Sequence, residues 1–245
     1  MPTEVQHHYD ALLAEAYSWM VGDFETHKQR QFEFFVQQGL GAQAPSLALD
    51  LGSGHGLQSV ALAELGYQVI AIDLSRQLLA ELEQRAGELP ITTRQDDLLN
   101  LRHHVADQSV DLVCYMGDTL PHLASTDQVM HLFESMYRVT KPGGHAVLSF
   151  RDMSREPTSS PLVIPVRSER DLIFSCVLTY SPTTVRVTDL IHRWVGDQWQ
   201  QQASSYDKLR LSEATVAAWL GRSGWQLKTS TLSAGLCQLV AGKQV

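Results

Sequence analysis

Three glycines at alternate positions, Gly52, Gly54 and Gly56, lie between two aspartates, Asp50 and Asp73, in the stretch LALDLGSGHGLQSVALAELGYQVIAID. Glycines at that density let a backbone turn tightly and approach a ligand with no Cβ in the way. Asp73 closes an apolar run and is placed to accept hydrogen bonds from a vicinal diol. Asp50 stands just before the turn and sets its charge. It would repel an anionic pyrophosphate and tolerate an ammonium or a sulfonium.

The elements that must position these groups follow from the same stretch. Leu47–Leu51 is an apolar run broken only by Asp50, and it reads as a buried strand. Leu57–Leu65 carries apolar residues at helical spacing, and Val69–Ile72 is a second strand ending in Asp73. Strand, glycine turn, helix, strand, acid is a nucleotide-binding βαβ unit. A dinucleotide fingerprint, G-x-G-x-x-G, has its third glycine one position later than the G-S-G-H-G found here. The acid together with G-x-G-x-G favours S-adenosylmethionine (SAM), with S-adenosylhomocysteine as product, over NAD. A dehydrogenase would also need a hydride-transfer site, and none is visible. A glycine turn in a ligand-free α/β protein is the plainer alternative.

The D-L-G-S-G-x-G string resembles motif I of the class I SAM-dependent methyltransferases. That resemblance covers about residues 45–150 and 211–241. It implies an α/β fold: a doubly wound, mainly parallel seven-stranded sheet with helices on both faces. It also implies cofactor contacts from Asp50, Gly52, Ser53, Gly54 and Gly56, and from Asp73 and Leu74 after the second strand. In the family the loop after the third strand supplies an acid to the adenine amino group. Asp97 and Leu98 of QDDLLNL fit best, with Asp96 as the alternative. Met116 and Gly117 at the end of the fourth strand complete the set.

Composition limits the partners. The 245 residues carry a formal charge of −8 with no basic run, which argues against a nucleic-acid substrate. Hydrophobic residues make up 44% and charged residues 19%, an ordinary globular balance. Cys114, Cys176 and Cys237 each lie in apolar stretches and read as small buried hydrophobes of a reducing compartment. No C-x-x-C or Cys/His cluster suggests a metal, and the adjacent His103–His104 read as solvated. No basic-plus-apolar leader and no apolar run of ~18–20 residues is present, so a cytoplasmic protein without membrane contact is expected.

Along the chain, Tyr9–Met20 reads as a helix with Leu12, Leu13, Ala16, Tyr17 and Met20 on one side. Phe24–Leu40 reads as a second, with Phe32, Phe35 and Val36 as its buried stripe. The pattern YD-x-x-x-x-x-A-Y is similar to the entry segment of small-molecule methyltransferases, where an aromatic residue lies over SAM; this implies Tyr17. Packing of Tyr17 and Trp19 onto a core explains them equally well. Ser75 is an N-cap for a helix through about Gly87. Val110–Met116 is a continuous apolar run, as a central parallel strand should be. It enters Gly117-Asp118-Thr119-Leu120-Pro121-His122-Leu123, which is similar to the G-N-S-F-x-H-L segment of glycine and sarcosine N-methyltransferases. Asp118 and His122 are therefore substrate candidates, although aspartate here replaces asparagine. Gln128–Val139 reads as a helix, and KPGG as the turn into a fifth strand, His145–Phe150. The following S-F-R-D is similar to the D-H-R-N of glycine N-methyltransferases, whose arginine holds a substrate carboxylate; this implies Arg151. A surface arginine, salt-bridged to Asp152, is the plainer reading.

Beyond that strand, Leu162–Arg167, Leu172–Tyr180, Thr184–Val195 and Trp199–Lys208 alternate in polarity, with a hairpin signal at Ser181–Thr184. They suggest an antiparallel β-layer inserted before the last helix, Ser212–Leu220, and a closing strand pair. The expected domains are an N-terminal helical cap (1–44), a SAM-binding Rossmann-like domain (45–152 and 211–245) and an inserted lid or substrate region (153–210). The expected reaction is SN2 transfer of a sulfonium methyl to an O, N or C nucleophile of a small metabolite. His122, Asp118 and His192 are candidates for a base, and the catalytic assignment stays open. A non-catalytic SAM-binding protein and a protein methyltransferase are the competing readings. No pattern specifies an oligomeric state.

Overall fold

The computed structural model of the chain describes residues 8–43, 45–233 and 235–245. Contacts divide it into two compact units. One comprises Asp23–Asp152 with Leu211–Val245, and the other comprises the segment ending at Gly22 with Met153–Arg210. The two helices ahead of the first strand therefore fall in different units.

The larger unit is a seven-stranded sheet. It contains β1 (Leu47–Leu51), β2 (Gln68–Asp73), β3 (Ile91–Gln95), β4 (Val110–Tyr115), β5 (Thr140–Arg151), β10 (Gln226–Ser233) and β11 (Leu236–Gly242). Their order is β10-β11-β5-β4-β1-β2-β3. β11 runs antiparallel between β10 and β5, and the other pairings are parallel. Strand order reverses between β1 and β4, the switch point at which open α/β sheets bind ligands.

Helices α2 (Phe24–Gln37), α3 (Leu57–Glu64), α4 (Arg76–Ala86), α5 (Thr126–Val139) and α6 (Glu213–Arg222) complete this unit, after α1 (Ala14–Val21) in the other. Serine side chains start three of them: Ser75, Ser125 and Ser212 accept from the N–H groups of Leu78, Gln128 and Thr215. Phe35 of α2 is fully buried in a cluster with Leu62, Tyr67, Cys114 and Val147. Val36, expected on the buried stripe, is 53% exposed. Lys28, about two turns earlier, is buried instead, its Nζ 2.7 Å from Glu64 Oε1. β5 also begins earlier than expected, at Thr140. Thr140 pairs with Val110, and the Lys243 N–H donates to Gly144 O, so KPGG lies within the ladder.

The smaller unit contains the antiparallel sheet β6-β7-β8-β9, formed by Leu162–Ser168, Leu172–Tyr180, Thr184–Val195 and Gln198–Leu209. These strands stand apart from the main sheet, as their alternating polarity requires. One face packs Phe174 and Ile191 against Leu12, Leu13 and Ala16, with Tyr17 and Met20 at the margin. The expected continuous N-terminal helix begins instead as a π-turn over Tyr9–Leu13, where the Ala14 N–H reaches Tyr9 O. His8, buried at 1% exposure, holds the start of this segment through Nε2 to Asp189 Oδ2 at 3.0 Å.

Among the described residues no helix is long and apolar enough to cross a membrane. Removing the Phe35 side chain should leave an unfilled cavity in the larger unit. Phe35→Ala is expected to cost about 3–5 kcal/mol, read as a lowered urea midpoint at unchanged slope.

Candidate cofactor site

The glycine turn is tied to the end of β2 by three successive amides. The N–H groups of Gly52 and Ser53 donate to Ile72 O at 2.8 and 3.2 Å, and Gly54 N–H donates to Asp73 Oδ2 at 2.8 Å. This path needs left-handed backbone at Gly52, Gly54 and Gly56, with φ of 67°, 52° and 100°. Space is equally restrictive. A Cβ on Gly52 would lie 2.6 Å from Thr119 Cγ2, and one on Gly56 would lie 2.3 Å from Leu82 Cδ1. The turn therefore has the loop after β4 on one side and α4 on the other.

Asp73 is half-buried, and each oxygen is already oriented by an amide, since Ser75 N–H donates to Oδ1 at 2.8 Å. Burial raises its pKa above the ordinary carboxylate range. Each carboxylate oxygen has a second lone pair, so the group can still accept from a diol. Asp50 is 1% exposed and accepts from Ser59 Oγ at 2.5 Å. Burial pushes its pKa up to about 7. Ser53 Oγ is buried with no hydrogen-bond partner among the described residues. His55 is 2% exposed; burial and then the nearby Arg85 charge hold it down to about 4. It is neutral at pH 7 and adds no positive charge to a site suited to a cation.

The loop after β3 separates the two acids proposed for adenine. Asp96 Oδ1 accepts from Asn100 Nδ2 and Asp97 N–H, both at 2.8 Å, and Oδ2 lies 2.8 Å from His104 Nε2. Those partners, Asn100 foremost, lower its pKa. Asp97 caps the short 3-10 turn Leu98–His103 and accepts from Leu99 N–H at 2.9 Å. His104 is thus paired rather than solvated, with its side chain 16% exposed, whereas His103 is exposed.

At the end of β4, Met116 is 3% exposed and packs in the cluster with Cys114, so its side chain faces the core. Gly117 N–H donates to Ser149 Oγ at 3.0 Å, and Thr119 Oγ1 to Met116 O at 3.1 Å. Asp118 has φ of 66°, and its Oδ1 accepts the backbone N–H of Arg151 at 2.8 Å. Asp118 therefore fixes the carboxyl end of β5, where Arg151 is exposed. Asp152 Oδ2 accepts from Glu213 N–H at the start of α6. Leu74, Leu98 and His122 are half-buried in the same unit. Tyr17 and His192 belong to the other unit, where Tyr17 lies 6.2 Å from the Tyr9 ring and His192 Nε2 is 3.0 Å from Gln201 Oε1.

The residues that sequence reasoning missed are Ser59, His55, Thr119 and Ser149. Ser59 lies nine positions after Asp50, in the first turn of α3, and only the fold shows that it meets the carboxylate. Among the described residues no group of three or more His, Cys, Asp or Glu side chains could hold a metal.

The fold is similar to that of SAM-dependent methyltransferases of known structure. Residues 48–144 match the methyltransferase domain family, so this segment is a SAM-dependent methyltransferase domain. The chain is 34% identical over 104 residues to the cypemycin N-terminal methyltransferase of a Streptomyces species, a match covering 42% of this chain and 41% of that protein. It is 27% identical over 128 residues to the glycine/sarcosine N-methyltransferase of Aphanothece halophytica, covering 49% and 45%. Each match thus spans under half of the relative's length. The CcbJ methyltransferase of Streptomyces caelestis has a similar fold, with a TM-score of 0.77 at 16% identity over 98% of this chain and 96% of that one.

The raised Asp50 pKa has a sign. In the unfolded chain this carboxyl ionises near 3.8, and in the folded chain near 7. Its contribution to stability is complete below about pH 4 and is lost as pH rises through 7. Ligand-free protein should therefore lose stability between pH 5 and pH 8, and Asp50→Asn should flatten that slope. Paired urea titrations at the two pH values measure it.

Proposed function

We propose that the whole chain is a SAM-dependent methyltransferase acting on a small-molecule acceptor in a reducing, cytoplasmic setting. The observation that carries the reading is Asp73, whose oxygens are oriented by the Gly54 and Ser75 amides beside a turn that admits no side chain at Gly52. When bound, SAM supplies an activated methyl group on a sulfonium. Asp73 would hold the ribose hydroxyls and Asp97 the adenine amino group, with Leu74 and Leu98 against the ring. Asp50, once ionised, would face the cationic end, and Ser53 Oγ would gain a partner it now lacks. The chain's main contribution is position: aligning nucleophile and methyl carbon can supply about 7–11 kcal/mol. Buried thiols at Cys114 and Cys237 fit a reducing compartment.

A narrower reading concerns the acceptor. Arg151 is exposed at the carboxyl end of β5, on a strand end that Asp118 holds through the backbone. A guanidinium there can grip an acceptor carboxylate through two parallel hydrogen bonds. Arg151→Lys keeps the charge and loses the fork, so it should raise KM for such an acceptor and leave SAM affinity unchanged. Equal KM values in both proteins would remove Arg151 from the acceptor site.

Calorimetry tests the cofactor. SAM and S-adenosylhomocysteine should bind in the micromolar range and NAD should not. Asp73→Ala would release two amides as well as the diol, so Asp73→Asn is the cleaner variant. Losing charge-assisted bonds of about 1.5–3 kcal/mol each should weaken SAM at least tenfold. Binding of NAD alone would overturn the reading.

A further inference from the structure

Tyr115 ends β4 at 0% exposure, and its hydroxyl has no hydrogen-bond partner among the described residues. A buried hydroxyl left unpaired is costly, and phenylalanine would fill the same space without that cost. The excess oxygen therefore calls for a state in which it is used.

Strand alternation fixes where the ring lies. Leu112, Cys114 and Met116 enter the cluster that contains Phe35 and Leu62, so Val113 and Tyr115 point to the opposite face of the sheet. The crossovers through α3 and α4 run outward from β1 to β2 and β3. The crossover after β3 returns to β4 on the other side of β1, and a right-handed connection then lies on the opposite face. That crossover opens with Asp97 and contains the fully buried Leu101. Tyr115 thus sits under the segment that begins at Asp97. In agreement, burial and then the Asp97 and Asp118 carboxylates hold the phenol far above its ordinary pKa of 10.0. Asp97 has committed Oδ1 to Leu99 N–H, and its carboxylate retains further acceptor capacity.

We propose that Tyr115 is a positioning residue for adenine recognition, its hydroxyl donating to the Asp97 carboxylate once that carboxylate engages the adenine amino group. The proposal rests on the reading of Asp97 as the adenine acceptor. It explains why an oxygen unpaired in the ligand-free chain is kept beneath the adenine loop. With the hydroxyl bonded, Asp97 is held as an acceptor facing an amino group, which favours adenine over a base carrying a 6-oxo group.

The test uses Tyr115→Phe, Asp97→Asn and the double variant, each titrated with S-adenosylhomocysteine and with its 6-oxo (inosine) analogue. Tyr115→Phe should bind S-adenosylhomocysteine about tenfold more weakly and lose a similar factor in discrimination. Its ligand-free melting temperature should equal or exceed that of the parent, because an unpaired buried hydroxyl has been removed. The double variant should bind no more weakly than Asp97→Asn alone. Asp97→Asn binding as tightly as the parent would overturn the reading of Asp97, and this proposal with it. Weakened Asp97→Asn beside a Tyr115→Phe within twofold of the parent would overturn the Tyr115 proposal alone. Equal losses for both ligands in Tyr115→Phe, fully additive with Asp97→Asn, would do the same.

Discussion

Three consecutive amides, those of Gly52, Ser53 and Gly54, are drawn onto the last two residues of β2, and the cofactor site depends on that attachment. It closes the turn between two parallel strands that pair from Leu47–Gln68 to Leu51–Ile72. The path requires left-handed backbone at Gly52, Gly54 and Gly56, and Thr119 and Leu82 leave no room for a side chain at the first and last of these. The same bonds orient Asp73. A carboxylate that receives two amides cannot rotate freely, so its remaining lone pairs have fixed directions. Those directions are set by backbone geometry, which is what the proposed acceptance from a diol would require.

Charge in this site is arranged around burial. Asp50 lies under the turn at a pKa near 7, held by Ser59, so its charge at neutral pH responds to its surroundings. A nearby cation would favour the ionised form and a nearby anion would oppose it. His55 is neutral for the same desolvation reason and cannot offset the acid. The outcome is a buried carboxyl whose ionised form a nearby cation would favour. A pyrophosphate would meet the opposite response, which gives structural content to the choice of SAM over NAD.

Much of this was legible in the sequence because local chemistry decided it. The βαβ unit, the serine caps at Ser75 and Ser212 and the separate antiparallel layer all follow from short-range patterns that no distant contact reversed. Other features depended on tertiary partners. Val36 is apolar yet exposed, while Lys28 is buried and meets Glu64. His104 reads as a loop histidine until Asp96 is brought within 2.8 Å. KPGG is a turn by composition, and only the pairing of Val110 with Thr140 draws it into a strand. In the site, Asp96 and Asp97 are adjacent and equivalent by type. What distinguishes them is that Asn100 and His104 engage both oxygens of Asp96.

Some of the buried polar atoms without partners among the described residues lie near the switch point of the sheet. The aspartate at position 118 adopts a left-handed conformation that disfavours side chains, yet it is partly compensated by bonding the Arg151 backbone. Among the described residues, Ser53 just after β1 and Tyr115 at the end of β4 bury oxygens without partners. Both ends belong to the switch point of the sheet. Within β1, β2 and β4, by contrast, the backbone pairs strand to strand, and the buried Asp50 of β1 has a partner in Ser59. A fold selected for stability alone would place alanine and phenylalanine where Ser53 and Tyr115 stand. A buried oxygen without a partner costs stability, and a ligand that paired with it would recover that cost.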